Sequence, residues 1–228
     1  SWLPTISADG TRILFLCDAD TFVNEDYNGA TDAFLRDLVN TTTERVDIPN
    51  WTTGYVEADY GCGWCDLSAD GWTVAFDSWS DNLVQGDTNG RSDVFIRNLA
   101  AGETTRVSVS TYNYEGDGNS SLRPHCLSSD GMRVVFASVA STLDPIDANP
   151  GWDIFLHDRS SGVTSLLSVD SSGSSANGDC VSASISADGN YVVFSSTADN
   201  LVAGDWNGLS DVFHRNLPYG VTTLVSAS

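Results

Sequence analysis

The chain has 228 residues, 41% hydrophobic and 10% aromatic, enough to bury one large core or two small ones. Its charge is one-sided: ten arginines, no lysine and 31 acids give a formal net charge of −21. That balance excludes nucleic acid as a partner and disfavours anionic membrane surfaces, since both need a basic footprint. It favours cations or cationic surfaces instead. No run of 18 apolar residues occurs, so no membrane insertion is expected. No signal peptide begins at Ser1, which suggests a mature chain or a piece of a longer one.

Four copies of one unit follow one another. They open with Ile6, Leu67, Leu127 and Ile185, each followed directly by Ser-Ala-Asp-Gly or Ser-Ser-Asp-Gly, at spacings of 61, 60 and 58 residues. Nine residues later stands Phe15, Phe76, Phe136 or Phe194. Nineteen further on stands Phe34, Phe95, Phe155 or Phe213, and twelve beyond that Val46, Val107, Leu167 or Val225. Eight of the nine phenylalanines lie on two repeat positions, so each unit is a rigid block and the connectors carry the length variation.

β-Branched and aromatic residues with partial alternation predict a second strand in each unit, at 12–17, 73–78, 133–138 and 191–196. The Asp-Gly pair before it is a hairpin turn signal. A third strand is expected at 32–36, 93–97, 153–157 and 211–215, and a fourth at 43–48, 104–109, 164–169 and 222–227. No segment keeps a 3.6-residue period. The reading is all-β: one propeller domain over 1–228 made of four four-stranded antiparallel blades, at about 1–49, 62–110, 122–170 and 180–228.

The series Ser-x-Asp-Gly-x-x-Val-x-Phe, Asp-Val-Phe and Thr-Arg-Val-Ser resembles the TolB-type (WD40-like) β-propeller repeat, over essentially the whole chain. Ser1 precedes the first strand of copy one and Ser228 follows the last strand of copy four, with no overlap of strands to lock a ring. Closure then needs side-chain packing, a disulfide or another chain. A ring left open would present two blade faces and drive self-association.

Between the second and third strands every unit carries Asp-x-Asn, with another Asp six residues after the first. These are Asp26, Asn28 and Asp32; Asp87, Asn89 and Asp93; Asp147, Asn149 and Asp153; and Asp205, Asn207 and Asp211. Oxygen ligands at alternate positions of a tight loop suit Ca²⁺, up to four ions in all, and are too hard for zinc. The loop also resembles the Gly-Asp-x-Asn-Gly start of FG-GAP calcium loops, although it is shorter and lacks their middle Asp. The competing reading is a plain turn, because Asp and Asn bond their own backbone.

Five cysteines (Cys17, Cys62, Cys65, Cys126 and Cys180) are disulfide candidates, with Cys17 reaching Cys62 or Cys65 and one thiol left over. Asn40, Asn50 and Asn119 head glycosylation sequons. Only His125, His157 and His214 are present, and no nucleophile elbow or phosphate loop occurs, so the expectation is that the chain is not an enzyme. Propellers of the resembled type accompany peptidase and lyase activities in some families, there beside a separate catalytic domain.

The functional expectation is a calcium-binding structural or interaction propeller, extracellular or at the cell surface, that joins copies of itself or another protein into a larger assembly or fibre. The alternative is a carbohydrate-binding propeller using Tyr27, Trp51, Trp64, Trp79 or Trp206, with glycan as the partner. Against it stands the fact that these aromatics do not recur in register.

Overall fold

The computed structural model describes residues 1–23, 26–50 and 57–226. Among the described residues, sixteen strands form four antiparallel sheets, each in simple chain order. Blade 1 holds β1 (Trp2–Ile6), β2 (Arg12–Cys17), β3 (Asp32–Asp37) and β4 (Thr42–Arg45). Blade 2 holds β5 (Cys62–Leu67), β6 (Thr73–Ser78), β7 (Asp93–Asn98) and β8 (Glu103–Arg106). Blade 3 holds β9 (Ser120–Ser121), β10 (Arg133–Ser138), β11 (Asp153–Asp158) and β12 (Val163–Leu166). Blade 4 holds β13 (Cys180–Ile185), β14 (Tyr191–Ser196), β15 (Asp211–Asn216) and β16 (Val221–Leu224).

The Ser-x-Asp-Gly motif is a self-contained turn. In blade 2, the Ser68 hydroxyl donates to Asp70 Oδ1 at 2.6 Å, and the same oxygen accepts the Trp72 N–H at 3.0 Å. Ser68 Oγ also accepts the Thr73 N–H at 3.0 Å, which starts β6. The other three copies repeat this set. The glycine sits at φ between +66° and +73° in all four, a region that a β-carbon penalises. Phe15 and Phe34, and their counterparts in each blade, stand directly opposite one another and stack at 5.6–5.9 Å between ring centroids.

The second strands coincide with the expected ranges. The fourth strands end three residues sooner, for a chemical reason. Ser108 Oγ, not a backbone carbonyl, accepts the Val94 N–H at 3.0 Å, and Asp47, Ser168 and Ser226 do the same in blades 1, 3 and 4. A side chain thus replaces a rung of the ladder and stops the strand.

Neighbouring blades are joined by one repeated set of contacts. Ala8 N–H donates to Ala69 O, Ala69 N–H to Ser129 O and Ser129 N–H to Ala187 O, at 2.8–3.1 Å. The fourth-strand threonines Thr104, Thr164 and Thr222 donate to carbonyls of the preceding blade's exit, at Ile48, Val109 and Val169. The strands of blades 1 and 2, 2 and 3, and 3 and 4 pack together, while among the described residues blades 4 and 1 share no comparable packing. The trailing face of blade 4 therefore stays open. Val193, Val212 and Val225 are 39%, 38% and 56% exposed, although the residues at the same repeat positions of the other blades (Leu14, Ala33 and Val46 in blade 1, for example) are buried. The leading face of blade 1 is open too: Ile6 is 58% exposed where Leu67, Leu127 and Ile185 are buried. Phe22, the one phenylalanine off the two repeat positions, lies across Phe15 and Phe34 on that face.

Candidate functional site

The acidic loops are turns first. In every blade the asparagine's Oδ1 accepts a backbone N–H two residues on (Ala30, Arg91, Gly151 and Leu209) at 2.7–2.9 Å. Its amide donates to the closing aspartate in blades 1, 2 and 4, and to Ala176 O in blade 3. Asn28, Asn89, Asn149 and Asn207 are thus committed to loop geometry.

In blades 1 and 2 the position assigned to calcium is held by an arginine. Arg106, the last residue of β8, places Nη1 2.8 Å from Asp87, 3.4 Å from Asp93 and 3.1 Å from Glu115. Arg45, the last residue of β4, does the same with Asp26, Asp32 and Glu57 at 3.4, 3.3 and 3.1 Å. Arg45 and the four aspartates are buried, and Arg106 is half-buried. In each of these blades a guanidinium nitrogen occupies the point where the three carboxylates converge, so the residues of these two loops do not fit calcium. Burial still dominates at Asp87, whose pKa is pushed up to about 7 against the pull of Arg106.

Blades 3 and 4 differ. The arginine position holds Leu166 and Leu224, and the glutamate position of blade 3 holds Ser175. Asp153 is fully buried; its Oδ1 accepts the Ser168 hydroxyl at 2.6 Å, while Oδ2 has no hydrogen-bond partner. Burial raises its pKa to about 7. Asp147 is half-buried and is also pushed up by burial. Asp205 and Asp211 of blade 4 are buried, and Asp211 is held low by the Ser226 hydroxyl and the Asn207 amide. Among the described residues, no three acids, histidines or cysteines converge tightly enough to form a ready-made metal site.

Among the aromatic candidates, Tyr27 and Trp206 stand out on their loops, 77% and 89% exposed. Trp51 lies outside the described residues. Trp64 and Trp79 line one cleft, together with Trp152. Trp152 escapes sequence reading because it comes from the next blade.

No protein-family model matches the chain, and no curated protein matches it in sequence. Solved structures do match its fold. A protein assigned as TolB from Agrobacterium tumefaciens matches 99% of this chain over 61% of its own, with a TM-score of 0.57 and 17% identity. The β-propeller domain of the Trilobed protease from Pyrococcus furiosus, of open velcro topology, matches 94% over 55% of its own, with a TM-score of 0.54 and 14% identity. The fold is a TolB-type β-propeller. The chain spans less than two thirds of the length of each of these proteins.

One expectation is corrected by a third match. A prolyl endopeptidase structure matches 100% of this chain over 29% of its own, with a TM-score of 0.57 and 15% identity. Scarcity of histidines in a propeller is therefore no ground for excluding an enzyme, since the fold occurs inside enzymes. The histidines themselves have structural places. His157 is buried between blades, its Nδ1 2.9 Å from Thr164 Oγ1, where the other blades place an arginine against the same threonine. His214 stacks on Tyr191 on the open face of blade 4.

The disulfide expectation is also corrected. All five cysteines of the TolB-type propeller are free and buried. Burial raises the thiol pKa of Cys62, Cys65 and Cys126, and of Cys180 to about 12, so these act as small core residues and not as a redox or metal pair. Only Cys17, which accepts the Ser1 hydroxyl at 3.0 Å, has its pKa lowered. An aromatic disulfide reagent is expected to find at most Cys17 in the native protein and all five thiols after denaturation. Recovery of three or fewer thiols in denaturant would restore the disulfide.

Of the sequons, Asn40 lies exposed in the β3–β4 turn. The Asn50 side chain pairs through both its oxygen and its nitrogen with the Thr104 backbone, so a glycan there would break a blade contact; the rest of that sequon lies outside the described residues. Asn119 lines the tryptophan cleft and accepts the Ser92 N–H at 3.3 Å.

Proposed function

We propose that this chain is an interaction propeller that joins a second copy of itself blade to blade, in the cell envelope or the extracellular space. The observation that carries this reading is the exposure of Val193, Val212 and Val225 at repeat positions that are otherwise buried. Each internal seam mates a trailing face of this type with a leading face like that of blade 1. The chain therefore carries both halves of a contact it makes three times internally. Such a head-to-tail contact is heterologous, and it closes into a ring or runs on as a filament.

Charge opposes the association, since two copies would each bring a net −21. Calcium at the loops of blades 3 and 4 would relieve part of that repulsion. Asp147 and Asp153, with the unpartnered Asp153 Oδ2, and Asp205 with Asp211 are the residues that would hold it. The metal would supply charge neutralisation and loop stiffness.

Light scattering and electron microscopy across a concentration series, with calcium and then with chelator, test the reading. Dimeric rings or filaments are expected, weaker in chelator. Val212→Glu would bury an unpaired charge in the contact and is expected to weaken it by about a hundredfold or more. A monomer at every concentration, indifferent to this substitution and to chelator, would overturn it; the open faces would then await further blades of a longer chain.

A further inference from the structure

We propose that the seam between blades 2 and 3 carries a single binding site for a neutral saccharide, distinct from the open blade faces. Its frame is a cleft of about 320 Å³ lined by Trp64, Trp79 and Trp152, with Asn119, Ser121 and Ser78 among the polar groups. That volume falls at the small end of ligand sites.

The strand geometry explains why the indoles meet. Register in blade 2 shifts between Cys62 and Cys65, so β5 bulges at Gly63 and Trp64. Asp77, on the neighbouring strand β6, pins the bulge: its Oδ1 accepts the Trp64 N–H at 2.6 Å. Its Oδ2 accepts the Leu122 N–H at 2.9 Å and so ties in the incoming chain of blade 3. Gly63 is required there, because a β-carbon would lie 2.6 Å from Asp77 Oδ1. Trp79 follows the end of β6, and Trp152 precedes β11. Trp64 and Trp152 are anchored against the core, whereas Trp79 is 51% exposed. The platform is therefore fixed at its base and open at its rim.

The equivalent positions in the other blades hold no aromatic residue. At the seam of blades 1 and 2 they are Leu3, Asp18 and Ser92. Core packing that every seam needs would recur; this cluster does not. One site, not four, removes the objection that a lectin should repeat its aromatics.

Three features select the ligand class. Indole faces are large, rigid and electron-rich, and the C–H face of a sugar ring lies flat on such a surface. The Asn119 amide and the Ser121 hydroxyl offer donors and acceptors at the edge, where equatorial hydroxyls would project, whereas the buried Ser78 hydroxyl is spent on Gly61 O and Ser80. A quaternary ammonium ligand also suits aromatic faces, but the Arg123 guanidinium already stands 5.1 Å from the Trp64 ring centroid and would repel it. Asp77, the one carboxylate of the cleft, is spent on two backbone N–H groups and is no counter-ion.

The test is calorimetric titration of the full chain with cellohexaose, maltohexaose, xylohexaose and chitohexaose, and with choline. It is run on Val212→Glu at a concentration where light scattering shows one species, so that assembly and sugar binding are read separately. At least one oligosaccharide is expected to bind and to shift tryptophan emission. Trp79→Ala, at an exposed position, is expected to weaken that binding by about tenfold or more, and Trp152→Phe by less. Trp206→Ala, on the blade 4 loop, should leave it unchanged. Binding by none of the sugars, binding of choline alone, or equal binding by Trp79→Ala would overturn the proposal.

Discussion

Replacing Arg106 by leucine is expected to destabilise the protein by about 3–5 kcal/mol, the usual penalty for removing one partner of a buried ion pair. Asp87 and Asp93 are almost fully buried around its Nη1, and Glu115 closes the third side. Without the guanidinium, two buried carboxylates must ionise beside a third, or take up protons at neutral pH. The repeat contains its own control. Where blade 3 has lost the arginine, to Leu166, it has also lost the glutamate, to Ser175. The double substitution Arg106→Leu with Glu115→Ser should therefore recover part of the loss, because it reproduces a combination the fold already tolerates. Urea denaturation followed by circular dichroism measures both variants through their midpoints at constant slope. A single variant that unfolds at the wild-type midpoint would show that the arginine is a bystander.

The architecture was legible because two signals agree in every copy. The Ser-x-Asp-Gly turn starts the second strand at a fixed residue, and the phenylalanine pair fixes its register against the third, so the β2, β6, β10 and β14 ranges follow without error. The fourth strands were misjudged at their ends because alternation continues past the point where Asp47, Ser108, Ser168 or Ser226 replaces a backbone acceptor. Composition does not reveal that substitution; it depends on which side chain reaches the neighbouring N–H.

The acidic loops show what spacing alone leaves out. Asp-x-Asn with a following Asp reads as a metal loop, yet the cation in two of the blades arrives nineteen residues later in sequence, at Arg45 and Arg106. A signal was available. Aligning the four units puts Arg, Arg, Leu and Leu at one position; Glu57 and Glu115 lie in connectors of different length, 11 and 8 residues after Val46 and Val107, so the equivalence of Glu57 with Glu115 and Ser175 emerges only from the fold. The tryptophan cleft could not be found that way, because Trp152 joins Trp64 and Trp79 only through the packing of two blades.

Asp47→Ser is expected to stabilise the protein at pH 8, by about 1–3 kcal/mol, the penalty of a buried polar group left without its hydrogen bond. Asp47 stands where the other blades have Ser108, Ser168 and Ser226. It is fully buried; one oxygen accepts the Ala33 N–H at 3.2 Å and the other has no donor. Burial first, and then the neighbouring Asp32 charge, raise its pKa well above the carboxylate range, against the opposing pull of Arg45. The folded state therefore holds a proton that the unfolded chain releases near pH 4. A raised folded pKa favours the native state fully below that pH, and the advantage is lost as pH rises through the folded value. Serine carries no such liability, and it can donate to Asp32 as Ser108 donates to Asp93 at 2.5 Å. The gain should accordingly shrink as pH falls from 8 toward 5, a trend that urea midpoints at a series of pH values would follow. A gain independent of pH would mean that Asp47 stays ionised in the fold, and that Arg45 carries the balance of charge for four carboxylates instead of three.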